Sequence, residues 1–340
     1  MNNKTIKNSA KVIGFLLVFA ILFSKFYSVL SFKYGNPMRQ VYNLPKDSVD
    51  VLVVGSSHAY RNFDPQVLYT NYGVTSYVIG TSSQRIWNSY YLAKDALKTQ
   101  HPKVLVLESY KVFDREDYSD TAISIKALNG MRFSKNYIDH ARATLPESEK
   151  LIEYCLRFPL FHTRYKDLEN ADFVKNPADD ISLGYAPLYE VKKGKVWTDL
   201  DKITERKPFL PKVEKYLDMF RELADENGAQ LVFAISPFAV DADKMQPYYN
   251  TLQDYADKYN IPLFQGNLHM EELKLDENKD FSTGNHLSAP GVVKYTQMLW
   301  DKVLSGYELA DHRGDAYYKR WEENKVYREH NEGKDGNIKE

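Results

Sequence analysis

Apolar positions along the chain follow two periods. Short runs rich in valine, leucine and isoleucine recur at 49–54, 74–79, 101–108, 230–236 and 261–264. Runs of that length between polar stretches read as buried strands. Between them, apolar residues return every three or four positions. Ile86, Tyr90, Ala93 and Leu97 share one face of a helix over 84–100, and Val213, Leu217, Phe220 and Leu223 share one that starts at Pro211 and stops at Gly228. A further helix is expected over 243–259. A last one enters through Ser288 and Pro290, with Val292, Tyr295, Leu299 and Val303 inward. Strands alternating with helices predict an α/β fold, a three-layer α/β/α sandwich around a mainly parallel sheet.

The pattern blurs over 109–210 into aromatic and charged stretches with one helix near 147–158, read as an insertion over the carboxyl edge of the sheet. From about 311 the chain is charged without apolar periodicity, and a solvated tail is expected. The organisation expected is an N-terminal segment and signal-anchor over 1–34, a linker over 35–46, the α/β domain over 47–306 and an extension over 307–340.

At the N-terminus Lys4, Lys7 and Lys11 precede an uncharged run over 12–23, which SKFYSVLSF continues to Phe32. Crossing a bilayer takes about 20 residues of helix, and the segment reaches that length only with Lys25 included. Lys25 lies toward the outer end, where its stem can carry the ammonium to the headgroups. No small-x-small cleavage pattern follows, which favours an uncleaved anchor over a signal peptide. Lysines crowd the near side, whereas Lys33 and Arg39 are sparser beyond it. That asymmetry predicts a single-pass cell-membrane protein with a cytoplasmic N-terminus and an extracytoplasmic main domain.

Composition removes several classes of function. The net charge of −1 offers no global field for nucleic acid, and no such partner is expected. The sole cysteine, Cys155, excludes an internal disulfide and any CxxC site. Gly55 opens no GxGxxG loop, and His101, His140, His162, His269, His312 and His330 show no ligand spacing. Neither a cofactor nor a metal is expected. The 26 tyrosines without basic excess fit a carbohydrate-facing protein better than a nucleic-acid binder.

Reactive groups in a parallel sheet collect at the carboxyl ends of its strands. Gly55-Ser56-Ser57-His58, Gly80-Thr81-Ser82-Ser83-Gln84 and Glu108-Ser109-Tyr110 each stand at such an end. A serine hydroxyl attacks a carbonyl only with a base beside it. Ser57 is the candidate nucleophile, because two small residues before it let the backbone turn off the strand. His58, its neighbour, is expected to point elsewhere. The candidate base is His286 in DFSTGNHLSAPGVVKY (280–295), on a loop two residues before Ser288. Alone, the first motif reads as a tight turn and the second as a loop histidine. Together, at two ends of one α/β pattern, they point to a nucleophile and its base. Glu108 reads as a polar strand end, and Arg61 and Asp64 as a local pair or cap, with Arg61 alternatively meeting an anionic substrate.

The GSSH stretch, the glycine turn at Gly80 and the GNHLSxxG loop over 284–291 resemble the SGNH (GDSL) hydrolase superfamily. The likeness is nearest to its membrane-anchored cell-envelope members, such as the DltD proteins of teichoic-acid D-alanylation. It spans roughly 47–306 in outline and is specific in two short blocks. The resemblance implies Ser57 as nucleophile, His286 as base, and an oxyanion hole from the backbone near Ser57 and Gly80. Two departures stand out. Thr283 occupies the position where the family has aspartate, and no asparagine follows the third strand. Asp280, or failing that the Thr283 hydroxyl, is expected to bond His286, with Asn285 as a further support. Gln84, ahead of Asn88, is expected to replace the missing amide donor.

The resemblance implies a serine esterase or O-acyltransferase acting on acyl esters of a cell-surface polysaccharide or teichoic-acid-like polymer. A multi-spanning membrane O-acyltransferase is the implied partner. The rival reading is an inactive SGNH-fold envelope protein that binds glycan or a partner protein.

Overall fold

A computed structural model describes residues 3–31, 37–173 and 182–332. Residues 35–36 of the expected linker, 174–181 of the expected insertion and 333–340 of the expected tail lie outside the described residues. The chain divides into two compact units, 1–34 with 150–176, and 35–149 with 177–340.

The larger unit is built on five strands: β1 (Val51–Gly55), β2 (Ser76–Gly80), β3 (Val104–Glu108), β4 (Gln230–Ile235) and β5 (Leu263–Gln265). They pair in the order β2-β1-β3-β4-β5, every pair parallel. All five stand where the apolar runs predicted them. Every residue of β1, β2 and β3 is buried, as a parallel sheet covered on both faces requires. The stripe of Val213, Leu217, Phe220 and Leu223 is buried along the Pro211–Glu226 helix, and Val292, Tyr295 and Leu299 along Ala289–Lys302.

The chain leaves β1 for β2 on one side and returns to β1's other side as β3. This reversal is a topological switch point, and the carboxyl ends of β1 and β3 open a crevice there. Gly55 ends one of these strands and Glu108 the other.

The tail departs from the solvated form expected of it. It carries a helix, Lys319–Glu332, whose Trp321 is wholly buried and donates from Nε1 to the Ser76 carbonyl at 3.0 Å. Arg328 Nη1 reaches both carboxylate oxygens of Asp64 at 2.6 and 2.7 Å. His312 Nε2 lies 2.7 Å from Asp50. A few large anchors hold this segment, so no periodic stripe marks it in the sequence.

The smaller unit holds the N-terminal helix, Asn3–Leu30. Its stretch Asn8–Leu30 is long and apolar enough to cross a membrane, a property shared by membrane anchors and signal sequences. The helix expected near 147–158 forms as two short pieces, Leu151–Leu156 and Phe158–Phe161, in the same unit.

Candidate active site

The turn after β1 is shaped by close packing. A Cβ on Gly55 would stand 2.6 Å from Glu108 Cβ, and one on Gly80 would stand 2.9 Å from the Ser56 carbonyl oxygen. Only glycine permits either approach. The two are register partners in the sheet, which sets the Gly80 turn directly beside the Ser56-Ser57 turn.

Ser56 caps the short helix Ser57–Asn62, its Oγ accepting from the His58 N–H at 3.2 Å and donating to Glu108 Oε2 at 3.1 Å. Ser57 is therefore the first helical residue, and it is half-buried. Glu108 Oε1 accepts from the Tyr110 N–H at 3.0 Å. Burial pushes the Glu108 carboxyl up to about 8, against the opposing pull of these hydrogen bonds and of nearby Lys111. Desolvation wins because the group is sealed between two strand ends. More than a polar strand end, Glu108 braces the turn that carries Ser57.

His286 enters from a hairpin-like loop. Phe281 and Leu287 form an antiparallel bridge, Ser282 N–H donates to the His286 carbonyl at 2.9 Å, and Ser288 N–H donates to the Asp280 carbonyl at 3.0 Å. This pairing overturns the expected Asp280–His286 bond, because it sets Asp280 opposite Ser288, away from the imidazole. The Asp280 carboxylate instead accepts from Lys294 Nζ at 2.5 Å and from the Asp276 N–H at 2.7 Å. The Thr283 hydroxyl is not the partner either. His286 Nδ1 lies 3.0 Å from the Thr283 backbone carbonyl. A carbonyl only accepts, so the proton sits on Nδ1 and Nε2 carries the lone pair. Nε2 is buried with no hydrogen-bond partner among the described residues, and Ser57 Oγ does not reach it. Burial holds the His286 pKa below its ordinary value, against the Thr283 bond, with Arg61 adding to the depression.

Asn285 takes a left-handed backbone, φ +75°. Its Oδ1 accepts from the Val240 N–H at 2.8 Å and its Nδ2 donates to Tyr110 Oη at 3.3 Å, which ties the loop to the segments after β4 and β3.

His58 does not point elsewhere. It stacks on Tyr110 with ring centroids 3.6 Å apart and lies 5.0 Å from the His286 ring. The helix that starts at Ser57 turns the next side chain into the crevice, whereas an extended exit would have sent it away. His58 Nδ1 faces Ser236 Oγ at 3.1 Å and Asn62 Nδ2 at 3.5 Å. Burial, with His286 and Lys111 nearby, keeps the ring neutral by driving its pKa well below the ordinary value.

Asn62 is the residue sequence reasoning missed. Its Nδ2 donates to Ser236 Oγ at 2.7 Å and its Oδ1 accepts from the Leu287 N–H at 3.0 Å. One buried amide thereby joins the Ser57 helix, the end of β4 and the His286 loop. Its spacing of four from His58 on a helix was the available signal.

Gln84 and Asn88 are spent elsewhere, which corrects their assignment as oxyanion donors. Gln84 accepts from Thr81 Oγ1 at 3.0 Å and donates to Ser89 Oγ at 2.9 Å. Asn88 donates to Thr144 Oγ1 at 2.7 Å and pairs with His140 Nε2 at 2.9 Å. Arg61 and Asp64 do not pair with each other. Asp64 caps its helix through the Gln66 N–H at 2.9 Å. Arg61 Nη1 donates to the Ala186 and Pro187 carbonyls at 2.8 and 3.3 Å.

The geometry offers a neutral imidazole with a defined tautomer and a buried, unpartnered acceptor nitrogen, beside a turn bearing a half-buried serine. No family model matches the chain, and no curated protein matches it significantly. Among solved structures it is similar to a "putative acylhydrolase" from Bacteroides fragilis, at 14% identity with TM-score 0.38, over 81% of this chain and 100% of that one. It is likewise similar to a GDSL-like lipase from Bacteroides thetaiotaomicron, at 11% identity with TM-score 0.40, over 81% of this chain and 100% of that one.

Proposed function

We propose that this chain is a serine esterase or O-acyltransferase of the SGNH type, with Ser57 as nucleophile and His286 as general base. The observation that carries the reading is the state of His286: Nδ1–H held by the Thr283 carbonyl, Nε2 unprotonated and without a hydrogen-bond partner among the described residues. Ser57 Oγ attacks the acyl carbonyl while His286 Nε2 takes its proton. Backbone N–H groups near Ser57 and Gly80 hold the oxyanion. Collapse of the tetrahedral intermediate returns the proton to the departing alcohol and leaves the acyl group on Ser57. Water or an acceptor hydroxyl then attacks, with His286 again as base, releasing acid or a new ester.

The proposed setting is the cell envelope. The N-terminal helix anchors the chain, its lysine-rich start stays in the cytoplasm, and the domain acts outside on acyl esters of a polysaccharide or teichoic-acid-like polymer. A multi-spanning O-acyltransferase is the proposed partner. The lysine asymmetry and the motif resemblance support this setting. Protease added to intact cells or protoplasts should digest most of the chain; a protected domain would overturn the topology.

A fluorophosphonate probe tests the chemistry. The wild type should label, and Ser57→Ala and His286→Gln should not. Silence of the folded wild type would favour the second reading, a non-catalytic envelope protein that binds glycan or a partner. That reading draws on two observations: among the described residues no carboxylate backs His286, and no hydrogen bond joins it to Ser57.

A further inference from the structure

The N-terminal helix does not stand alone in its unit. Phe158 packs on Phe23 and Phe26 with ring centroids 5.5 and 6.3 Å apart, and Phe161 meets Tyr27 edge-on at 4.9 Å. Arg164 Nη1 donates to the carbonyls of Leu30 and Ser31 at 2.7 and 2.9 Å, closing the helix's carboxyl end. Contacts at 23, 26, 27 and 30 run along the last two turns of the apolar stretch that ends at Leu30, and the contact at Ser31 follows directly after it. Phe23 lies seven residues before that end, roughly 10 Å along the axis at the rise of an α-helix. Whatever medium surrounds those turns therefore also surrounds Phe158 and its neighbours.

The same segment exposes apolar side chains of its own. Ile152 and Leu156 are 60% and 61% exposed, and their spacing of four sets them on one face of the Leu151–Leu156 helix. Lys150 and Arg157 flank that helix, and Lys166 stands further on, at the end of the 3-10 helix His162–Lys166. Exposed aliphatics bounded by cations are the pattern of a helix lying in the plane of a membrane interface, with cations among the headgroups and aliphatics among the acyl chains. Lys25, near the end of the apolar stretch, fits the same boundary.

We propose that residues 150–166 form a membrane-interface segment. It lies at the headgroup–acyl boundary of the leaflet in which the N-terminal helix ends, with Ile152 and Leu156 in lipid. The occupant of this apolar face is the phospholipid bilayer itself, because the face is continuous with the wall of the helix it packs on. The proposal rests on the reading of that helix as membrane-spanning, and it adds a second, monotopic contact that leaves the chain seated on the membrane as well as tethered to it.

The single native cysteine makes a direct test possible. In the full chain with Cys155→Ser, nitroxide labels at Val18→Cys, Ile152→Cys and Leu156→Cys would be compared in a phosphatidylcholine–phosphatidylglycerol bilayer. Relaxation by oxygen reports lipid, and relaxation by a water-soluble nickel chelate reports solvent. Oxygen should dominate at 18, 152 and 156. Oxygen at 18 with nickel at 152 and 156 would overturn the interface segment while leaving the spanning helix intact. Nickel at all three would overturn the spanning helix, and the segment with it.

Discussion

His286 Nδ1 and the Thr283 carbonyl oxygen lie 3.0 Å apart. The position that carries aspartate in the resembled family thus orients the imidazole through its backbone. Orientation is retained, but the counter-charge for an imidazolium is not. Thr283→Ala should therefore change ester turnover by no more than about twofold, since the bonding atom is kept. Thr283→Asp should raise turnover, by well short of the about 10⁴ that a triad carboxylate supplies. Steady-state hydrolysis of an aryl acetate by the two variants measures both; a large loss in Thr283→Ala would show the hydroxyl to matter.

The pH dependence of turnover has a definite sign. A general base works when unprotonated, so with His286 in the role proposed for it the rate should rise with pH as its ring loses a proton. Burial depresses that pKa, which sets the midpoint of the acid limb below the ordinary 6.5. In Thr283→Asp the nearby carboxylate favours the charged ring and should move the limb to higher pH. A pH–rate profile with its midpoint above 6.5 in the wild type would count against His286 as the base.

Asn62→Ala should strand the buried Leu287 N–H and remove a donor from Ser236. Leaving one buried backbone group unpaired costs about 1–3 kcal/mol. Urea unfolding should show that loss, and the His286 loop should exchange its amide hydrogens faster. Equal stability and unchanged exchange would mean that the loop is held by other contacts.

Glu108 makes stability depend on pH. Its folded pKa of about 8 stands above the ordinary 4.5, so the folded state holds a proton that the unfolded state releases. The stabilisation from that proton is complete below 4.5 and is lost as pH rises through about 8. Glu108→Gln, which mimics the protonated form, should match the wild type at the acid end of this window. It should exceed the wild type at the alkaline end, by a few kcal/mol at most at ~1.4 kcal/mol per pKa unit. Melting temperatures of both proteins across that range decide the matter, and parallel curves would show Glu108 ionised throughout.

Trp321 should prove essential to the domain. Trp321→Ala empties a fully buried site and should cost about 3–5 kcal/mol. Chemical denaturation reads this directly. A change below about 1 kcal/mol would restore the tail to the dispensable extension its composition implies.

The α/β architecture was legible because parallel strands are buried on both faces and so read as unbroken apolar runs, while helices covering a sheet carry a one-sided stripe. The placement of Ser57 and Glu108 at strand carboxyl ends followed from the same alternation, whereas the strand order that makes those two ends a switch point came from the tertiary structure. What the linear chain did not contain was the partnership of side chains far apart in it. Asp280 is near His286 in sequence, yet the Phe281–Leu287 bridge sends its carboxylate to Lys294. Asn62 and Leu287 are 225 residues apart and share a hydrogen bond. His58 turns inward because Ser56 caps a helix, where an extended exit was expected. Trp321 anchors a segment with no periodic signal. The sequence by itself determined which elements form and at which strand ends the polar residues stand, since periodicity and local turn chemistry act over a few residues. Only the tertiary structure decided which polar group satisfies which, because a buried donor or acceptor takes its partner from whatever the packing brings within about 3 Å, irrespective of distance along the chain.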